Sequence, residues 1–115
     1  MKQDSVYLRH ILDCIAQILE YTCEGEAVFF GSPMEQDAVI RNLEVIGEAV
    51  KNLSPALRAR SPAIAWSRIA GMRDVLIHEY FGVDLQIVWS VVENRLPGLQ
   101  AEILDLLQSP PEREP

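Results

Sequence analysis

Apolar side chains recur every three or four positions through most of the chain, which is the spacing of helices with one buried face. The first such stretch covers residues 4–22, where Asp4 or Ser5 can serve as the N-cap. Its apolar positions are Leu8, Ile11, Leu12, Ile15, Ile18 and Leu19. No stretch keeps the period of two that a half-buried strand shows. The pattern therefore predicts helices and no sheet.

A second helix is predicted after a break at residues 23–31. Ser32 and Pro33 supply an N-cap and a residue suited to the first helical position, and Glu35 is placed to complete a capping box. Gly47, in the interior of this helix, costs about 1 kcal/mol relative to alanine, which indicates close packing against a neighbour there. The apolar positions of this helix are Val39, Ile40, Leu43, Ile46, Val50 and Leu53.

Three further helices are predicted in the second half of the chain. A short one, capped by Ser54, begins at Pro55 and ends near Arg60. A longer one covers residues 65–80, and the last covers residues 84–107. Pro97 lies within the last helix. Because proline has no backbone N–H, we expect it to kink this helix or split it.

The fold expected from these elements is all-α, an antiparallel bundle of four main helices with one short extra helix. A chain of 115 residues suits one domain, which we assign to residues 1–108, followed by a flexible, proline-rich tail at residues 109–115. With 49% apolar residues, the chain is rich in hydrophobic side chains for its size. We therefore expect part of its surface to be covered in a homodimer.

The cysteines and the first residues bear on the compartment. Cys14 and Cys23 would stand about 13 Å apart on a helix, too far for a disulfide, which fits a reducing environment. The amino-terminal residues lack the apolar core of a signal peptide, and the sequence has no run of 18 or more apolar residues. We expect a cytoplasmic protein with no membrane segment.

The net charge of −7 is unevenly distributed. Residues 41–73 contain six basic and two acidic side chains, whereas both flanks are acidic. Five of the six basic residues are arginine, whose planar guanidinium group suits phosphate. This segment can present an electropositive groove to nucleic acid, with Arg60 and Arg68 as candidate contacts to RNA phosphates. A solvated basic face produces the same pattern.

Candidate chemistry concentrates in residues 73–80 (RDVLIHEY). A histidine can move a proton at a ribose hydroxyl and an arginine can stabilise charge on phosphorus, so Arg73 and His78 could cleave RNA without a metal ion. Asp74, four residues before His78, can accept a hydrogen bond from its ring and favour its charged form. Tyr80 lies seven residues after Arg73 and shares its helical stripe.

Arg73 and His78 are about 140° apart around a helix, so one straight helix does not direct both at a single phosphate. Either the helix loosens near its end or a second copy of the motif faces the first across an interface, and we favour the symmetric arrangement. Other roles remain open, because the same residues could transfer a proton on another substrate or bind an anion. A lone histidine is more often a hydrogen-bonded structural residue, and Arg73 can form a solvated ion pair of little energetic value.

No metal ion or cofactor is predicted, because the glycine-rich, paired-cysteine and nucleophilic-serine motifs are absent from the sequence. Glu44 and Glu48 resemble half of a metal site. They are more simply a surface pair, since no matching ligand set occurs elsewhere. His10 stands among polar positions and is expected to be exposed.

Arg73, His78 and Tyr80 fit the pattern Arg-x4-His-x-Tyr, and with this pattern the chain resembles the HEPN-domain HepT-like ribonucleases. Other segments are similar to the family in the same order, so the resemblance covers about residues 8–107. They are residues 42–49 (NLEVIGEA), 66–73 (WSRIAGMR) and 80–84 (YFGVD), followed by Trp89 and Leu96-Pro97.

The resemblance implies an all-α dimer whose two motifs meet in a cleft, with Arg73 and His78 as the ribonuclease residues acting on RNA, transfer RNA being a candidate. It also implies a toxin whose partner is an MntA-like nucleotidyltransferase antitoxin, in an assembly of the dimer or of higher order. That antitoxin attaches AMP to the motif tyrosine, here Tyr80. The added charge and bulk beside Arg73 would block the place of an RNA phosphate.

The competing interpretation is a binding module with the same fold. A non-catalytic HEPN helical dimer would bind a nucleotidyltransferase partner or a nucleotide and would not turn over RNA. Turnover of RNA by the purified protein separates the two functions.

Overall fold

The computed structural model describes residues 2–78 and 82–108. Over these residues the chain is all-α and contains no strand, which confirms the predicted fold class, and none of the described helices is long and apolar enough to cross a membrane. Residues 79–81 and the predicted tail at 109–115 lie outside the described residues. The helices are α1 (Lys2–Tyr21), α2 (Glu26–Phe30), α3 (Pro33–Lys51), α4 (Pro55–Ala59), α5 (Trp66–His78), α6 (Leu85–Asn94) and α7 (Leu96–Gln108).

Helix α3 occupies the centre of an elongated molecule of 53 × 28 × 21 Å. It packs against α1 and α5, while α7 packs against α1 and α6. The apolar stripes predicted for α1 and α3 supply most of the fully buried side chains, so the core lies where these helices face each other. The largest fully buried side chains are Phe29, Ile11, Ile15, Ile18, Leu43, Ile46, Ile103, Val39 and Val50.

Serine N-caps start α3 and α4 as predicted. The Ser32 hydroxyl accepts a hydrogen bond from the Glu35 N–H at 3.1 Å, and the Ser54 hydroxyl accepts one from the Leu57 N–H at 3.1 Å. Each cap satisfies a backbone donor that the first helical turn leaves unpaired. The second arm of the capping box predicted at Glu35 does not form, because the Ser32 N–H donates to the Phe29 carbonyl instead.

The break predicted at residues 23–31 is wrong in part, because it contains α2. Gly25 has a φ of 96°, a left-handed conformation that glycine adopts readily, and it turns the chain from α1 into α2. Phe29 is fully buried, with its ring 5.2 Å from that of Trp89. A helix of five residues is too short to show a helical period. It is anchored by the burial of Phe29 and by hydrogen bonds from the Gln36 amide to the Phe29 and Phe30 carbonyls.

The long helix predicted over residues 84–107 is split at Arg95 into α6 and α7. Pro97 lies in the first turn of α7, where its missing N–H needs no partner. The Leu99 N–H donates to the Arg95 carbonyl at 3.0 Å and restarts the helical hydrogen bonds. Splitting, one of the two outcomes expected from Pro97, is therefore confirmed.

Neither Asp4 nor Ser5 caps α1, contrary to the prediction, because α1 already begins at Lys2. Asp4 is only 5% exposed, and its carboxylate accepts hydrogen bonds from the Ser54 N–H at 2.9 Å and the Ser54 hydroxyl at 2.7 Å. Residues 50 positions apart are thereby joined, and the first turn of α1 is tied to the start of α4.

Replacing Asp4 by alanine should lower the free energy of unfolding by about 2 kcal/mol, because two charge-assisted hydrogen bonds are lost and the Ser54 donors stay partly buried. Urea denaturation followed by circular dichroism measures the change. Asp105→Ala, which removes an exposed carboxylate from α7, is the control and should change stability by less than about 0.5 kcal/mol. Equal effects of the two substitutions would contradict a structural role for the Asp4–Ser54 contact.

Candidate functional site

Arg73 lies where α5 comes closest to α3. A Cβ atom built on Gly47 would stand 2.6 Å from the Cβ of Arg73 and 3.1 Å from the carbonyl oxygen of Ile69. Real side chains do not approach that closely, so only glycine permits this separation of the helices. The close packing predicted from Gly47 is confirmed, and it sets the depth at which Arg73 sits.

Two carboxylates hold the guanidinium group of Arg73. Its Nε lies 2.9 Å from Oε1 of Glu48 on α3, and its Nη1 lies 3.2 Å from Oδ1 of Asp74. The Arg73 side chain is 30% exposed. Since guanidinium carries five N–H donors, these two contacts leave three that can face an anionic ligand. The two contacts hold the planar, positively charged guanidinium group at the surface of the bundle.

Glu48 is a site residue that the sequence does not predict. Its spacing from Glu44 predicts a surface pair, but its carboxylate contacts Arg73. The available signal was its neighbour Gly47, because a close helix approach brings the next polar side chain within reach of the opposite helix. Within residues 2–78 and 82–108, no group of three or more His, Cys, Asp or Glu side chains could hold a metal ion.

His78 is the last residue of α5, so the backbone is helical from Arg73 through His78. Loosening of the helix, one of the two ways expected to bring these positions together, does not occur over this interval. Positions 73 and 78 are therefore about 140° apart around the helix and about 7.5 Å apart along it. The side chain of His78 and all of Tyr80 lie outside the described residues, and their roles stay predictions. Asp74, predicted to support His78, contacts Arg73.

The two arginines proposed to contact RNA phosphates occupy other places. Arg68 lines a largely apolar cleft of about 490 Å³ formed by α3, α5, α6 and α7, whose α3 residues are Leu43 and Ile46. It lies about 140° around α5 from Arg73. Arg60 is exposed at the end of α4. The basic segment is thus spread over several faces of the bundle.

A second groove, also about 490 Å³, lies between α1 and α3, and we call it the α1–α3 groove. Burial, and after it the charge of Asp13, raise the pKa of the Cys14 thiol at its base, so this cysteine stays protonated near neutral pH. His10, predicted to be exposed, is exposed along the rim. The polar lining consists of His10, Asp13, Gln17, Tyr21, Arg41 and Asn42.

Comparison with known proteins gives a consistent family match. The family described as ribonuclease HepT-like matches residues 11–106. A "Putative RNase" of Caldanaerobacter subterraneus subsp. tengcongensis is 41% identical over 109 residues, covering 94% of this chain and 97% of that protein. A "Probable ribonuclease HepT" of Thermococcus cleftensis is 42% identical over 97 residues, or 84% and 88% of the two chains.

One relative is much longer than this chain. A Methanocaldococcus jannaschii protein named "Gamma-glutamylcyclotransferase and putative RNase" is 48% identical over 110 residues, which make up 94% of this chain and 50% of that protein. The chain therefore spans about half the length of that relative. No solved structure matches the chain.

Proposed function

Because this chain belongs to the ribonuclease HepT-like family, as its motif residues indicated, we propose that it is a metal-independent endoribonuclease. The observation that carries the proposal is the guanidinium group of Arg73, held at the surface by Glu48 and Asp74 with N–H donors left for a phosphate. Matches to relatives named as ribonucleases cover most of the chain and also support the proposal.

In the proposed reaction, the imidazole of His78 takes the proton of a ribose 2′-hydroxyl, whose oxygen attacks the adjacent phosphorus. The bond from phosphorus to the 5′-oxygen breaks, this oxygen takes a proton from the protonated imidazole of His78, and a 2′,3′-cyclic phosphate remains. Arg73 donates hydrogen bonds to the phosphate oxygens and offsets the negative charge that develops there. The 2′-hydroxyl restricts the reaction to RNA.

We propose that a homodimer completes this site. Positions 73 and 78 face different directions on a regular helix. When a second copy of α5 faces the first, the guanidinium group of one subunit and the imidazole of the other can act on one phosphate. Val75, about 60° around the helix from position 78, is 59% exposed, so this side of α5 is open to another subunit.

For regulation, we propose that the protein is a cytoplasmic toxin neutralised by an MntA-like nucleotidyltransferase antitoxin that attaches AMP to Tyr80. Tyr80 is seven positions after Arg73 in the sequence, and an AMP phosphate there would compete with RNA for the donors of the guanidinium group. The dimer, alone or in a larger assembly with the antitoxin, is the proposed form of the complex. Transfer RNA is the candidate substrate.

The test is RNA cleavage by the purified protein in excess EDTA, with mass spectrometry of the product ends. We expect cleavage of a transfer RNA pool that leaves 2′,3′-cyclic phosphates or their hydrolysis products. His78→Ala, purified identically, controls for contaminating nucleases and should be inactive. Cleavage that disappears with EDTA, or that persists in His78→Ala, would contradict the proposal. Binding of a nucleotidyltransferase without any RNA turnover would favour the non-catalytic module.

A further inference from the structure

We propose that the α1–α3 groove binds single-stranded RNA beside the link that is cleaved, with Arg41 contacting a phosphate and Tyr21 contacting a base. This inference rests on the proposed ribonuclease function and adds a substrate-binding site to it. The site uses residues that the Arg-x4-His-x-Tyr motif does not include.

The position of Arg41 relative to Arg73 follows from helix α3. Arg41 and Glu48 are seven residues apart, so they lie within about 20° of each other around the helix and about 10 Å apart along it. Glu48 contacts the guanidinium group of Arg73. Arg41 therefore stands two helical turns from the Arg73 ion pair in the same stripe. At about 3.4 Å per nucleotide in a stacked strand, this distance spans about three nucleotides.

The charges in the groove suit a phosphate. Arg41 is exposed, and among the described residues no carboxylate lies within ion-pairing distance of it, in contrast to Arg73. Asp13 is the one carboxylate among the described residues that line the groove. An exposed arginine without a carboxylate partner keeps its full charge available for an anion.

The other lining groups suit a nucleotide. Single-stranded RNA is bound by stacking on aromatic rings and by hydrogen bonds from amide and imidazole groups. The groove presents Tyr21, which is 41% exposed at the end of α1, together with His10 and Gln17. The amide nitrogen of Asn42 donates to the Ala38 carbonyl at 3.0 Å, which fixes the orientation of that side chain.

The cleft lined by Arg68 is the weaker candidate for the same ligand. Its lining is largely apolar, and its α3 residues, Leu43 and Ile46, point away from the stripe that carries Arg41 and Glu48. An RNA strand held at Arg73 would reach the α1–α3 groove along one face of α3, but it would have to pass around the helix to reach Arg68.

Binding is tested by fluorescence anisotropy with a labelled single-stranded 2′-O-methyl RNA, which lacks the attacking hydroxyl. We expect Arg41→Ala to raise Kd about fivefold at moderate salt and to reduce the slope of log K against log salt by about 0.7, the value for one phosphate contact on a single strand. Tyr21→Leu should raise Kd at least about fivefold through lost stacking. Arg95→Ala removes the same charge from the opposite cleft and should change Kd less than about twofold.

The outcomes separate the groove from the catalytic proposal. Equal Kd values and salt slopes for Arg41→Ala and Arg95→Ala would overturn the groove, even if the wild-type protein cleaves RNA. If RNA binding depends on Arg41 but the wild-type protein never cleaves RNA, the binding site in the α1–α3 groove would be supported and the ribonuclease function overturned. A wild-type protein that neither binds nor cleaves RNA would overturn both. Partial recovery of the salt slope in Arg41→Lys would support a phosphate contact.

Discussion

Replacing Arg73 by alanine should lower kcat/KM for RNA cleavage by about a thousandfold, the usual effect of removing a group that stabilises transition-state charge. The side chain is 30% exposed, so the bundle should fold without it. Initial rates on a quenched fluorescent RNA measure the loss, and thermal unfolding followed by circular dichroism confirms the fold. A rate within a few fold of wild type would remove Arg73 from the reaction.

Two conservative variants show what holds Arg73 in place. Arg73→Lys keeps the charge but lacks the planar fork that serves Glu48, Asp74 and a phosphate together, so it should recover little activity. Glu48 acts through Arg73, as a positioning residue. Glu48→Gln, which keeps a hydrogen-bond acceptor near Nε, should therefore retain more kcat than Glu48→Ala. If the two Glu48 variants matched wild type, the ion pair would have no role in catalysis.

Replacing Gly47 by alanine should destabilise the protein by about 2 kcal/mol, because the new Cβ would stand 2.6 Å from the Cβ of Arg73 and must push α3 and α5 apart. For a chain of this size, the midpoint of thermal unfolding should fall by about 10 °C. Since Glu48 follows Gly47 directly, the same displacement should lengthen the contact between Glu48 and Arg73 and reduce activity. Differential scanning calorimetry and the cleavage assay measure the two effects.

Gly71→Ala is the matched control for Gly47→Ala. Gly71 is also helical, on α5, but a Cβ built there meets no atom within 4 Å. Alanine should therefore stabilise the protein by up to about 1 kcal/mol through helix propensity. The two substitutions, chemically identical, should differ in sign. Stabilisation by both would contradict the close contact between α3 and α5.

The sequence predicted most of the helices because their information is local. Spacing of apolar residues and the serine caps at Ser32 and Ser54 act within one helix or one turn. The predictions that failed concern a helix too short to show a pattern and contacts between residues that are distant in sequence. Helix α2 has five residues, too few for the apolar spacing to repeat, and its anchor Phe29 packs against the distant Trp89. Asp4 looked like a cap because its partner, Ser54, is 50 positions away.

The same distinction between local and distant information applies to the candidate site. Arg73 is a candidate from sequence because its motif is contiguous, whereas its partner Glu48 lies on another helix and looks like any exposed glutamate. The run of basic residues from 41 to 73 indicated phosphate binding. It could not show that Arg41 and Arg68 would face opposite sides of α3, because that depends on how α1, α5 and α7 surround that helix.

Helix α3 is a spacer of fixed length between Arg41 and the ion pair of Glu48 with Arg73. Because a helix resists stretching, the number of residues between Arg41 and Glu48 sets the distance from Arg41 to the Arg73 guanidinium group that Glu48 holds. One residue inserted between them would swing Arg41 by about 100° and take it off the shared face. Substitutions along this segment leave the distance and direction from Arg41 to Glu48 unchanged, but an insertion or a deletion alters both.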